Sequence, residues 1–265
     1  MNLFFYELKS HWKNVLVWGV VIAVFMVISM VKFQVLASDA AASQALLKAL
    51  PPTMQAVFGM TGLNVATIDG YYGVCFIFLA VMLAIQAGMT GADIIAKEET
   101  LDTAEFLYVK PISRARILTA KLLAGLIIIA AVGIATYVAT VLAIAAYNHG
   151  VVPQHTVVLF TGALACIQLL FYALGIFASA AIGLPKKAVS ITAAVVFACY
   201  IAYVLWGMSS QFSWMHYISP FAFFAAKDML AAGSLNQGWV WLCILVSISV
   251  VAVSYARYLR RDFKV

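Results

Sequence analysis

Nine of the chain's 16 basic and 10 acidic side chains fall within one stretch of 25 residues, KEETLDTAEFLYVKPISRARILTAK, positions 97–121. Acids come first, as Glu98, Glu99, Asp102 and Glu105. Bases follow, as Lys110, Arg114, Arg116 and Lys121, and Pro111 divides the two groups. The chemistry on offer is charge pairing and docking, since no nucleophile stands beside a base. Leu101, Ala104, Leu107 and Tyr108 give the same stretch an apolar face, which a short solvated helix would need a partner to cover. The alternative is a solvated loop that obeys the bias of lysine and arginine toward one side of a membrane; that bias requires bases but not four acids.

Other reactive residue types do not assemble into a site. His11, His149, His155 and His216 are scattered and read as surface histidines, one in an N-terminal helix and three outside the apolar runs. Cys75, Cys166, Cys199 and Cys243 each lie inside an apolar run without CxxC or His/Cys spacing, so they read as small buried side chains. No metal site is expected. There is no GxxxxGK[ST] loop; GLPKKAVS at 183–190 has the wrong spacing. The chain itself is therefore not expected to be an enzyme or to hold a cofactor.

The elements around the charged stretch follow from composition. The 265 residues are 65% hydrophobic and 10% charged, with a mean hydropathy of +1.03. Such a chain reads as an all-α, polytopic membrane protein, because spans must show apolar side chains to lipid and satisfy their own backbone hydrogen bonds. Six runs are long enough to cross: 15–36, 72–95, 117–147, 156–182, 188–207 and 239–258. The net charge of +6 is distributed in short basic groups beside these runs, which argues for membrane orientation rather than nucleic acid. With the N-terminus in the cytoplasm, 13 lysines and arginines lie inside and three outside, so both termini are expected to be cytoplasmic. The charged segment, 96–116, then lies on the inner face. The N-terminus shows no cleavable signal.

Residues 1–14 read as an interfacial helix. Phe4, Leu8, Trp12 and Val15 form its apolar stripe, with Glu7, Lys9 and Lys13 off it. Two outer loops have content of their own. Residues 38–58 contain helix formers and then Pro51-Pro52, and residues 208–237 are rich in aromatics expected at the membrane interface. Gly175, Ser179 and Gly183 recur at four-residue spacing and predict close helix packing, either within the chain or against a second copy. Gln86, Thr136, Thr140 and Gln168 are the polar residues deepest in the spans, and helix–helix contact is their expected role. No charged side chain lies near the middle of a span, which disfavours coupling to protons or sodium.

The stretch IIAKEETLDTAEFLYVKPISRARILTAKLLAGL resembles the loop between the second and third spans of ABC-2 type permeases, the membrane subunits of bacterial ATP-binding-cassette exporters. Glu98, Glu99, Thr103, Glu105, Leu107, Pro111, Ile112, Ser113, Arg114, Ile117 and Lys121 fit that family's pattern, E-E-x-x-G-T-x-E-x-L-L-x-x-P-I-S-R-x-x-I-x-x-x-K. Asp102 stands where the pattern has glycine and Tyr108 where it often has leucine, so a different turn is expected before Thr103. The resemblance extends to the six-span order, the N-terminal helix and the ISPFAFF stretch at 218–224.

This resemblance implies a cytosolic coupling helix seated in a groove on a separate ATPase. It implies two copies of this chain with two ATPase subunits, which would hold ATP and Mg. In such a complex Glu98, Glu99 and Glu105 would pair with ATPase bases or with bases of the segment itself. Leu101, Phe106 and Leu107 would fill the groove, and Pro111 would set the bend. Arg114 and Lys121 would either anchor at anionic headgroups or pair with acids. Export of an amphipathic or apolar substrate from the bacterial cytoplasmic membrane, with amphipathic peptide as first expectation, is the reading this supports. The alternatives are a non-transporting sensor or scaffold that docks a cytosolic partner, and an ion-coupled carrier.

Overall fold

The structure is a computed structural model that describes residues 3–100, 113–181 and 185–260. Among these residues the chain is helical: α1 Leu3–Ser38, α2 Ala40–Ala49, α3 Pro52–Val57, α4 Ile68–Thr100, α5 Arg114–Tyr147, α6 Gln154–Ala180, α7 Pro185–Met208, a 3₁₀ helix Ser210–Tyr217, α8 Pro220–Phe223, α9 Ala226–Ala232 and α10 Gln237–Arg260. Six of these, α1, α4, α5, α6, α7 and α10, are long and apolar enough to cross a membrane. Each overlaps one of the six apolar runs. Residues 3–14 belong to the same continuous helix as the first of those runs.

Local chemistry sets the element ends. The Asp39 carboxylate accepts the Ala42 amide at 2.9 Å and starts α2. Pro52 occupies the first turn of α3, where its missing N–H costs nothing. The Ser113 hydroxyl accepts the Arg116 amide at 3.4 Å and caps α5. Gly233, with φ of +64°, closes α9 in the left-handed conformation that favours glycine.

Helix α4 is the most buried of the six and α10 the least. The tightest pairing is α4 with α6, and glycine makes it. A Cβ on Gly175 would lie 2.1 Å from the carbonyl oxygen of Gly88, and one on Gly91 would lie 2.3 Å from that of Tyr172. Lipid offers no hydrophobic drive for helices to associate, so close backbone approach and hydrogen bonds must supply it. The small-residue spacing is thus used within the chain at Gly175. Ser179 is buried on the same helix, and Gly183 lies outside the described residues. Tyr172 fills a notch at Gly125 on α5 and donates its hydroxyl hydrogen to the Leu122 carbonyl at 2.8 Å.

The aromatic loop departs from the expected interfacial belt. Phe221 and Phe224 are fully buried, and Phe221 stacks on Phe171 of α6 at 5.5 Å. Trp214 and Tyr217 are the exposed members. Short helices fold the loop back over the bundle, so its apolar rings reach the core instead of lipid.

Candidate functional site

Two helices, α4 and α5, carry the roots of the charged segment. Its core, residues 101–112, lies outside the described residues, and with it Leu101, Thr103, Glu105, Phe106, Leu107, Pro111 and Ile112. Glu98 and Glu99 belong to the last turn of α4. Ser113 and Arg114 are exposed at the start of α5. What the structure defines is how those roots are held.

They are held at Glu7. This carboxylate is fully buried on α1, and three bases from three helices face it. Its Oε1 lies 3.7 Å from Lys121 Nζ on α5. Its Oε2 lies 3.9 Å from Lys97 Nζ on α4 and 3.7 Å from Nε2 of His11, one turn along α1. Lys121 is 1% exposed and also donates to the main-chain oxygen of Ile94 at 2.7 Å. Lys97 sits beside α1, donating to the Ser10 hydroxyl and standing 5.6 Å above the Tyr6 ring. A buried carboxylate survives only with counter-charge and hydrogen bonds around it. Here the first, second and third long helices each contribute to that environment.

Three sequence expectations change. Lys121, expected at anionic headgroups or paired with acids, is buried among helices and stands beside Glu7 of α1. His11 is buried, not a surface histidine. On α1 the inward face is Phe4, Glu7, Leu8, His11 and Val15; Trp12 is half exposed. Charged types ordinarily point away from apolar neighbours, and Glu7 and His11 reverse that expectation. Their spacing could have found them, since positions 4, 7, 8, 11 and 15 recur at helical intervals on one face.

Beside this junction a second apolar core joins Ile94, Ile95, Leu118, Ile128, Tyr172 and Ile176, with Phe4 and Leu8 packed on it. Further into the bundle, Gln168 on α6 donates to the Ile129 carbonyl at 3.3 Å and to Gln86 Oε1 at 3.4 Å, while Gln86 donates to the Thr90 hydroxyl. Gln86 and Gln168 thus tie α4, α5 and α6 together, while the Thr136 hydroxyl donates to Val132 of its own helix. A groove of about 550 Å³ opens between α5, α6 and α10, walled by Leu122, Leu126, Tyr172, Ile176, Val251 and Tyr255.

A comparison with curated proteins found no match. A family model described as ABC-2 family transporter protein matches residues 1–263. The whole-length match and the six long apolar helices agree: the chain belongs to the ABC-2 transporter family, as a multi-pass membrane component of an ATP-binding-cassette system whose ATPase is a partner subunit.

Proposed function

We propose that this chain is the permease of an ATP-driven exporter in the bacterial cytoplasmic membrane, moving an amphipathic or apolar substrate outward. Both termini and the 96–116 segment face the cytosol, and the segment is the coupling element on which the ATPase acts. Two copies of the chain work with two ATPase subunits, which bind ATP and Mg. Glu98, Glu99 and Glu105 meet bases of the ATPase, Leu101, Phe106 and Leu107 fill its groove, and Pro111 and Ile112 shape the bend before Ser113.

One observation carries the reading. The segment runs between α4, the most buried helix, and α5, and its two ends are fixed to each other through Lys121, Ile94 and Glu7. A push on such a segment passes into the bundle, because its ends cannot yield independently. The ATP-bound and ATP-free states then bias two arrangements of the spans. The groove between α5, α6 and α10 has apolar walls, as an acyl or apolar peptide moiety would require.

The test is co-purification of the chain with its ATP-binding-cassette ATPase partner, followed by ATP turnover in nanodiscs. Reversing Glu98 and Glu105 to lysine should release the ATPase. Retained binding and turnover would overturn the docking assignment. Export is tested with a labelled amphipathic peptide in sealed vesicles, with and without ATP; ATP-independent movement would overturn the direction and energy source.

A further inference from the structure

We infer that Glu7 is a positioning residue that ties the coupling segment to the first helix, so that α1 moves with the segment when the ATPase acts. The inference rests on the docking reading above and goes one step past it, by naming where the motion goes next.

The geometry is specific. Lys97 is the last α4 residue whose side chain is described before the segment, and Lys121 lies two turns into the helix after it. Both converge on the two oxygens of one carboxylate, Lys121 on Oε1 and Lys97 on Oε2. That carboxylate belongs to neither root but to α1. Helix α1 packs chiefly along α5 and touches α4 little. Among the described residues, the contacts of Lys97 with Tyr6, Glu7 and Ser10 form a polar link from the end of α4 to α1. With Glu7 in place, α1, α4 and α5 close a triangle at the base of the segment. Without it, α1 stays packed on α5 through its apolar face, and the α4 end keeps only the Lys97 contacts with Tyr6 and Ser10 among the described residues.

A stability role alone would be satisfied by an apolar residue. A leucine at position 7 would continue the stripe of Phe4, Leu8 and Val15 without burying charge, and such replacements are often neutral or stabilising. Placing a carboxylate there joins two long cations that otherwise would reach toward water. It also makes the joint separable, since charge pairs at 3.7–3.9 Å can stretch and re-form as a packed interface cannot.

The experiment follows hydrogen exchange of the full chain in complex with its ATPase in nanodiscs, without nucleotide and trapped with ATP and vanadate. In the native complex, trapping should change exchange by about tenfold or more, within the usual range of coupling between sites, both at residues 94–120 and at residues 3–14. In Glu7→Gln the change at 94–120 should persist and that at 3–14 should vanish, and Glu7→Asp should restore it. Lys97→Gln cuts only the α4 arm, at a partly exposed residue, and should give the same loss if Glu7→Gln fails to fold; Lys97→Arg should restore coupling. A nucleotide response at 3–14 that survives in folded Glu7→Gln overturns the inference; where Glu7→Gln does not fold, its survival in Lys97→Gln does so. A native complex with no response at 94–120 overturns the docking reading and this inference with it.

Discussion

Lys121 on α5 donates a 2.7 Å hydrogen bond to the main-chain oxygen of Ile94 on α4, inside the apolar core where the two helices meet. The lysine stem crosses the helix interface, and its ammonium then stands 3.7 Å from Glu7 on α1. One buried cation therefore fastens three helices at the end of the bundle that carries the charged segment. Its removal should be felt as stability before it is felt as transport.

Lys121→Met keeps most of the side-chain volume and removes the charge. Breaking a buried pair by removing one partner costs on the order of 3–5 kcal/mol. The cost here should fall at the low end, because Lys97 and His11 still face Glu7. The fraction of monodisperse protein surviving a heat series in detergent should drop by several degrees. The double variant Glu7→Gln/Lys121→Met should recover part of that drop, since no buried carboxylate is left. An unchanged melting profile in the single variant would contradict the junction.

Gly175→Ala tests the α4–α6 contact. The added Cβ would meet the Gly88 carbonyl at 2.1 Å, and neither backbone can yield without parting the helices. Overpacking of this kind costs about 1–3 kcal/mol. Gly19→Ala is the control: its new Cβ would meet Ala135 at an ordinary 3.8 Å, and alanine favours the helix by up to about 1 kcal/mol. Thermal stability should fall for Gly175→Ala and hold or rise for Gly19→Ala. Equal shifts would show that the close approach is absent.

Gln168→Leu removes the side chain that spans from α6 to Ile129 and Gln86. Interhelical hydrogen bonds in membranes are worth about 0.6 kcal/mol on average and up to about 1.7. The single variant should lose about that much and leave the Gln86 oxygen without this partner. Gln86→Leu/Gln168→Leu should be less destabilised than the two single variants added together, because paired polar groups removed together leave nothing unmet. Strict additivity in a thermal-shift series would argue against the contact.

Much of the architecture was legible because lipid imposes one rule on every span: six runs of apolar residues must become helices. Pro51-Pro52 likewise marks the end of α2 through local chemistry. The long-range pairings were not legible. Glu7 meets Lys121 across 113 intervening residues, and nothing in either neighbourhood marks the other as partner. A rule that charged types face outward misplaces Glu7 and His11. The aromatic loop failed for a related reason: rings suit both a membrane interface and a core, and only the fold-back of α8 and α9 sends Phe221 and Phe224 inward.

That same loop gives a pH prediction. His216 lies among Trp206, Trp239, Tyr217 and Phe223, with ring centroids 5.2 to 6.1 Å away. Desolvation pushes its protonation below the ordinary histidine value of 6.5, with Asp228 pulling the other way and Lys227 adding to the depression. The folded state therefore binds the proton more weakly than the unfolded chain. Well above pH 6.5 neither state carries the charge and His216 contributes no pH dependence. As the pH falls through 6.5 toward the lower folded value, the unfolded state takes up the proton first and stability is lost, until both states are charged. Thermal stability of the native protein should thus decline between about pH 7 and pH 5 more than that of His216→Phe, and the difference should be absent above pH 7. Tryptophan emission should report the same loosening, since Trp239 stacks on Phe223 at 4.2 Å and faces His216. Identical pH profiles for the two proteins would remove His216 as the titrating group.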